Sequence, residues 1–205
     1  MKVLLIDDHA IIREALRRLL TTFGQAEIVE ASTGEEALTV VAGQGFDLIV
    51  LDLNLPGLGG LELLSRLIRI AESASVLVLS MNAEPIYVRR ALALGAKGYV
   101  SKNASTEELL SAIAKVGRGG RYVEGDIAQA LALSPGPQTS PLESLNEREL
   151  EVMRLLASGQ SLSEIAALMG LAYKTVANMC SQIKTKCSVS RTADLIRLAI
   201  QFQAS

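Results

Sequence analysis

The chain has 205 residues, 49% of them hydrophobic, and a formal net charge of −2. That is a folded, soluble composition with room for two small cores, and its near-neutral balance means that any nucleic-acid binding must come from a local patch. No apolar run approaches the roughly 20 residues of a membrane span, and the opening MKVLLIDDHA is too short for a secretion signal, so a cytoplasmic protein without a membrane partner is expected.

From residue 1 to about 120, short apolar runs alternate with amphipathic stretches. Strand candidates are Val3 to Ile6, Glu27 to Glu30, Leu48 to Leu51, Val76 to Leu79 and Gly98 to Val100. Helical patterns lie between them, the first carried by Ile11, Ile12, Ala15, Leu16 and Leu19. Two helices open with the spacing of a capping box, Ser32 with Glu35 and Ser105 with Glu108. Five such units predict an α/β fold, a doubly wound five-stranded parallel sheet. The stretch LALSPGPQTSPLESLN follows, rich in proline and without apolar period, and reads as a linker from about Leu133 to Leu142. Beyond it the pattern is helical in four blocks, about Glu147 to Ala157, Leu162 to Met169, Tyr173 to Lys186 and Thr192 to Phe202. Cys180 and Cys187, the only cysteines, stand seven residues apart on one predicted helix. That is roughly 10 Å, too far for a disulfide, and a packing role for reduced thiols is expected.

The carboxyl ends of the predicted strands carry the chemistry. A parallel sheet with right-handed crossovers places its ligand site there, where strand order reverses. Asp7, Asp8 and His9 follow strand 1, Asp52 and Asn54 follow strand 3, Ser80 ends strand 4 and Lys102 follows strand 5. Burying an unpaired carboxylate is costly, so Asp52, in FDLIVLDLNLPGLGG, needs a compensating partner. Three crowded carboxylates repel one another unless one is protonated or a cation sits among them, and a hard cation such as Mg²⁺ suits oxygen donors. A lysine and a hydroxyl beside them complete a site for a phosphoryl group on a carboxylate nucleophile.

The segments LLIDDH, DLIVLDLNLPGLGG, VLVLSMN and GAKGYVSKNAS occur in the order and at the spacing of response-regulator receiver domains, which this half resembles. The resemblance implies a flavodoxin-like fold and a phosphorylated Asp52. It implies Mg²⁺ held by Asp8 and Asp52, by Asp7 partly through water and by the backbone carbonyl of Asn54. Ser80 and Lys102 would then grip the phosphoryl oxygens, and Tyr99 would be the aromatic whose rotamer follows Ser80. Asn103 stands where many receivers have proline, so no cis bond is expected. Met81 is bulkier than the usual residue beside the site; it either hinders entry of a phosphodonor or water, or packs. His9, the single histidine, reads as a helix-start residue.

In LSEIAALMGLAYKTVANMCSQIK, Ala166, Gly170 and Val176 have the spacing that lets two helices cross closely, as in a helix-turn-helix whose second helix lies in the DNA major groove. The stretch from about 143 to 202 resembles the four-helix LuxR-type DNA-binding domain, with Asn146 and Glu149 as a capping box. GGRYVEGDIA, at 119 to 128, is similar to the segment that joins the domains in the NarL/FixJ family. On the second helix Val176, Met179, Cys180, Ile183 and Cys187 form one apolar stripe, leaving Lys174, Ala177, Asn178, Ser181, Gln182 and Thr185 outward. Lys174 and Thr175 match the family's KTV, which implies phosphate contacts, with Lys184, Lys186 and Arg191 as further candidates. Asn178 and Gln182 are able to pair with adenine, or simply to be solvated, and Ser181 lies on the same face. Seven Lys or Arg against six Asp or Glu from Pro141 onward make a barely basic domain. Modest affinity per copy, and a dimer on paired half-sites, follow.

The expected organisation is a receiver at 1–120, a partly helical linking segment at 121–142 and a small all-α LuxR-type domain at 143–205. The expected function is regulatory and not enzymatic: a sensor histidine kinase phosphorylates Asp52, the active form dimerises on promoter DNA, and RNA polymerase is a possible partner. Three other readings fit parts of the pattern. An aspartyl-phosphate phosphatase needs an acid/base carboxylate two positions after its nucleophile, where this chain has Asn54. An FMN carrier is opposed by the two aspartates after strand 1. The weak positive charge leaves open a receiver that controls a protein-binding module instead of a DNA-binding one.

Overall fold

The computed structural model describes residues 1–23, 26–56, 58–81, 83–133 and 141–203. The chain divides into two compact units, Met1–Leu133 and Ser134–Ser205. Most of the expected linker, residues 134–140, lies outside the described residues.

In the first unit the elements run β1 (Lys2–Ile6), α1 (Ala10–Phe23), β2 (Glu27–Ala31), α2 (Gly34–Gly43), β3 (Leu48–Leu51), α3 (Gly60–Ile70), β4 (Ser75–Ser80), α4 (Pro85–Leu94), β5 (Gly98–Ser101), α5 (Thr106–Val116), β6 (Tyr122–Val123) and α6 (Gly125–Leu133). All strand pairs are parallel, in the order β2-β1-β3-β4-β5-β6. Strand order reverses at β1 and β3, which places the crevice above their carboxyl ends. Every residue of β3 and β4 is buried, as in a sheet covered on both faces. Side chains alternate between the two faces. Val3, Leu5, Leu48, Val50, Leu77, Leu79 and Val100 form one core layer with Leu16 and Leu20 of α1 and Ala112, Ile113 and Val116 of α5.

Three details depart from the sequence reading. The sheet has six strands, not five: Tyr122 and Val123 pair with Gly98 and Tyr99. Two residues are too few to show a period, so the strand was invisible in the pattern. The segment from 121 to 133, expected to link the domains, therefore folds with the first unit as β6 and α6. The cap of α2 is one residue later than expected. Thr33, not Ser32, is the N-cap; its hydroxyl accepts from the Glu36 amide at 3.2 Å, and the Glu36 carboxylate accepts from the Ser32 amide at 2.7 Å. Two neighbouring hydroxyl residues followed by two glutamates offer the same spacing in two registers, and extended backbone at Thr33 selects the second. At α5, Ser105 is the N-cap, accepting from the Glu108 amide at 3.2 Å.

The loop after β3 turns back sharply on itself. A Cβ at Gly60 would lie 2.2 Å from the Leu53 carbonyl oxygen, so only glycine lets α3 begin against the backbone that follows Asp52.

The second unit has a short turn at Pro141–Ser144 and four helices, α7 (Glu147–Ala157), α8 (Leu162–Leu168), α9 (Tyr173–Lys186) and α10 (Thr192–Gln203). Asn146 with Glu149 and Ser161 with Glu164 form complete capping boxes on α7 and α8. At the turn between α8 and α9, Gly170 has φ +64°, and the Leu171 amide donates back to the Ala166 carbonyl at 2.9 Å. Leu150, Met153, Ile165, Val176, Ile183 and Leu195 fill the core. The described peptide bonds are all trans, including that of Asn103. Among the described residues no helix is long and apolar enough to cross a membrane.

Candidate functional site

The carboxyl ends of β1, β3 and β5 bring Asp7, Asp52 and Lys102 into direct contact. Sheet hydrogen bonding fixes the loops that carry them: the Asp52 amide donates to Ile6 at 2.9 Å, the Asp7 amide to Ala31 at 3.2 Å and the Lys102 amide to Ser80 at 3.0 Å. Lys102 Nζ then donates to Asp7 Oδ2 at 2.7 Å and to Asp52 Oδ2 at 2.6 Å. The side chains of all three are deeply buried, and Asp52 has 1% of its surface exposed. The Asn54 amide donates to the other Asp52 oxygen at 2.9 Å.

Asp8 and His9 stand closer to solvent. His9 Nδ1 lies 2.8 Å from Asp8 Oδ1 and 3.1 Å from Asp7 Oδ1. The His9 amide also donates to Asp7 Oδ1 at 2.8 Å. His9 directly precedes α1, and its carbonyl accepts from Ile12 and Arg13, so it is a helix-start residue whose ring also lies against the acids. Donor atoms of Asp7, Asp8, His9 and Asp52 all fall within 4.8 Å of one another. This set of hard oxygens fits a divalent cation, with the Lys102 ammonium, already between two of the carboxylates, as its competitor.

Burial pushes the Asp52 carboxyl above its usual range; the Asn54 amide and Lys102 pull it down, and Asp7 adds to the rise. Burial acts on Lys102 in the opposite sense, but its bonds to Asp52 and Asp7 outweigh this and leave the ammonium above its ordinary value. Asp52 is thus a carboxylate held apart from water yet hydrogen-bonded on both oxygens, as an oriented nucleophile requires.

Ser80 and Tyr99 are both fully buried. Burial raises the Tyr99 phenol, and a side-chain hydrogen bond with Ser80 opposes the rise. The Ser80 and Tyr99 side chains are therefore joined, next to the strand end that carries Lys102. Met81, directly after Ser80, is 55% exposed, so packing does not account for its size.

Two residues of this neighbourhood were not picked out from the sequence. Arg13, on α1, donates from Nη1 to the Asp7 carbonyl at 2.6 Å and from Nε to Glu30 at 3.1 Å. Its place one helical turn after His9 was a usable signal. Glu124, between β6 and α6, accepts from the Ser101 amide at 2.6 Å, and no spacing rule pointed to it.

On α9 the apolar stripe is as expected: Val176, Cys180, Ile183 and Cys187 are buried and Met179 is half-buried. Burial pushes both free thiols up, which keeps them protonated and unreactive. Lys174, Thr175, Asn178, Ser181 and Gln182 are exposed, and Lys184 is half-buried. Ser181 donates back to the Ala177 carbonyl at 3.3 Å, which leaves its oxygen only as an acceptor for a ligand. Lys186 does not belong with the candidate phosphate contacts. Its Nζ is bound to both oxygens of buried Glu149, at 2.9 and 2.6 Å, and ties the last turn of α9 to the first turn of α7.

Comparison with known proteins extends this picture to the whole chain. Residues 3–114 match the response regulator receiver domain, and residues 143–199 match the luxR family of bacterial regulatory proteins. The response regulator UvrY of Escherichia coli is 36% identical over 98% of this chain and 94% of its own. The response regulator GacA of Pseudomonas aeruginosa is 33% identical over 98% and 96%. Among solved structures, RcsB of Salmonella enterica serovar Typhimurium, bound to the promoter rprA in the presence of phosphomimetic BeF3-, is 25% identical, with a TM-score of 0.61 and coverage of 97% and 98%.

Proposed function

The chain belongs to the NarL/FixJ family of two-component response regulators, and on that premise we propose that Asp52 is the phosphoacceptor through which its DNA binding is controlled. The observation that carries this is the contact of Lys102 Nζ with Asp7 and Asp52, which gathers a buried carboxylate, a cation and acidic donors at the strand ends. A sensor histidine kinase, as in this family generally, would supply the phosphoryl group. An Asp52 carboxylate oxygen attacks phosphorus, the new P–O bond forms as the bond to the donor histidine nitrogen breaks, and that nitrogen leaves with the electron pair. Asp7, Asp8, Asp52 and the Asn54 carbonyl would hold Mg²⁺, which neutralises charge on the phosphoryl oxygens when bound.

This chain's own groups do the rest. The Asn54 amide orients one Asp52 oxygen. Lys102, which binds the other, can turn to the transferred phosphoryl group once Asp52 has become an acyl phosphate and its charge has moved outward. Ser80, freed to donate to the same group, would change its bond with Tyr99, so that the β4 and β5 end becomes the two-state element. No catalytic turnover is assigned: Asn54 occupies the position where a phosphatase of this chemistry needs an acid. Lys174, Thr175, Asn178, Ser181, Gln182 and Lys184 are proposed to face DNA, with two copies of the chain on paired half-sites. The cytoplasm is the compartment in which such a regulator would meet kinase, DNA and RNA polymerase.

The test is genome-wide DNA footprinting of the wild type, with and without acetyl phosphate and Mg²⁺, beside Asp52→Asn. The wild type should gain occupancy on phosphorylation and the variant should not. Equal response of the two would overturn the assignment of Asp52. Phosphorylation without any footprint would favour a protein-binding role for the second unit.

A further inference from the structure

We infer that Glu124 is a positioning residue for Lys102, and that it connects the phosphoacceptor pocket to α6, the element from which the chain runs on toward the second unit. The inference rests on the assignment of Asp52 and Lys102 above.

The observation is an incomplete strand. β6 pairs with β5 through the Tyr122 amide on the Lys97 carbonyl at 3.0 Å and the Glu124 amide on the Tyr99 carbonyl at 3.2 Å. The next bond of a parallel ladder would run from the Ser101 amide to a main-chain carbonyl of the neighbouring strand. The chain turns away at this point: the Glu124 carbonyl accepts instead from the Ala128 amide at 2.8 Å, in the first turn of α6. The Glu124 side chain fills the missing place, and its Oε2 accepts from the Ser101 amide at 2.6 Å. Only 8% of Glu124 is exposed, so water is a poor substitute for it as acceptor.

The position of that amide gives the bond its significance. Ser101 immediately precedes Lys102, and the Lys102 amide is held from the other side by the Ser80 carbonyl. Ser101 Oγ also accepts from the Asn103 amide at 3.1 Å. Lys102 thus leaves β5 from a backbone gripped by Ser80 on one side and Glu124 on the other, with its ammonium between Asp7 and Asp52. A movement of Lys102 toward a phosphoryl group pulls on the Ser101 amide, and through the Glu124 side chain on the start of α6. A charged acceptor makes this a stronger and shorter bond than a backbone carbonyl would.

Two substitutions separate positioning from bulk stability. Glu124→Ala removes the acceptor, while Glu124→Gln keeps a carbonyl oxygen of the same reach without the charge. Both are made in the full chain, alongside the wild type and Asp52→Asn, and phosphorylation by acetyl phosphate with Mg²⁺ is followed on phosphate-affinity gels. Hydrogen exchange at the Ser101 amide is measured in parallel, with circular dichroism as the check on folding. Glu124→Ala should lose protection at Ser101 and reach its maximal phosphorylation rate about 10-fold more slowly, at an unchanged half-saturating donor concentration, the size expected when a supporting partner of a reactive group is lost. Glu124→Gln should recover most of both. A folded Glu124→Ala that is phosphorylated like the wild type overturns the inference alone, as does a Glu124→Gln that fails as badly while protecting Ser101. If Glu124→Ala does not fold, Glu124→Asp, which keeps the charge but withdraws the carboxylate by one methylene, decides: protection and rate that fall together support the positioning role, and an unchanged rate overturns it. A wild type that labels no better than Asp52→Asn overturns both this inference and the assignment of Asp52.

Discussion

The strand-end pocket and α9 carry comparable numbers of polar side chains but in opposite circumstances. Asp7, Asp52 and Lys102 are buried and each has its partner in the fold. Asn178 and Gln182 are exposed, and Ser181 turns its hydroxyl back to its own helix. Where water is excluded, a charge without a partner is costly, so neighbours dictate what the group can do. On an exposed helix face many partners are equally acceptable, and the fold alone does not choose among bases. The two lysines of α9 repeat the contrast. Lys186 is committed to Glu149, whereas Lys174 is exposed on the first turn.

Removing the pocket's cation should have the largest effect. Lys102→Met leaves Asp7 and Asp52 buried side by side without a counter-charge, and breaking such a pair costs about 3–5 kcal/mol. Urea denaturation at pH 7 should show that loss in the first unit. Saturating Mg²⁺ should stabilise the variant more than the wild type, because in the wild type the ion competes with the ammonium for Asp7 and Asp52. Equal stabilisation of the two proteins would mean that the ion binds elsewhere.

The lysines of α9 test the other half of the comparison. Lys186→Met leaves buried Glu149 without its cation; because Lys186 is itself partly exposed, water screens the pair and a loss of about 1–2 kcal/mol is expected in the unfolding of the second unit. Lys174→Ala should leave stability within about 0.5 kcal/mol and reduce the salt slope of DNA binding by about 1. A salt slope lowered by Lys186→Met and untouched by Lys174→Ala would reverse the roles given to them.

The same contrast explains how much the sequence revealed. β3, α7 and α9 have the observed bounds in the sequence reading, since Leu48 to Leu51 is a continuous apolar run and the helices repeat over three or more turns. Asp7, Asp52 and Lys102 stood out because charged residues at the ends of apolar runs are improbable without a partner. β6 was missed because two residues have no period, and the cap of α2 was placed one residue early because Ser32 and Thr33 are chemically interchangeable there. Glu124 and the Lys186 to Glu149 bridge were hidden for a different reason. Each joins residues 23 or 37 positions apart, and such pairings exist only once the fold has brought them together.

A change of opposite sign, a gain in stability, is expected at Asp52 itself. Its folded pKa is raised, chiefly by burial and further by Asp7, so the folded protein holds this proton more tightly than the unfolded chain does. Stability from this group is therefore fully present below the unfolded pKa and lost as pH rises through the folded one. At pH 7 the wild type carries the cost of the charge, and Asp52→Asn, neutral and of the same shape, does not. With EDTA present, Asp52→Asn should be the more stable protein by about 1 kcal/mol at pH 7, with the gap shrinking as the pH is lowered toward 4. Urea denaturation across that range measures it directly. A gap that grows on acidification would mean that Lys102 and the Asn54 amide outweigh burial, and that Asp52 is held as a stabilised anion. The two outcomes differ in chemistry as well as sign: a carboxylate left under-solvated is a better nucleophile than one whose charge is fully satisfied.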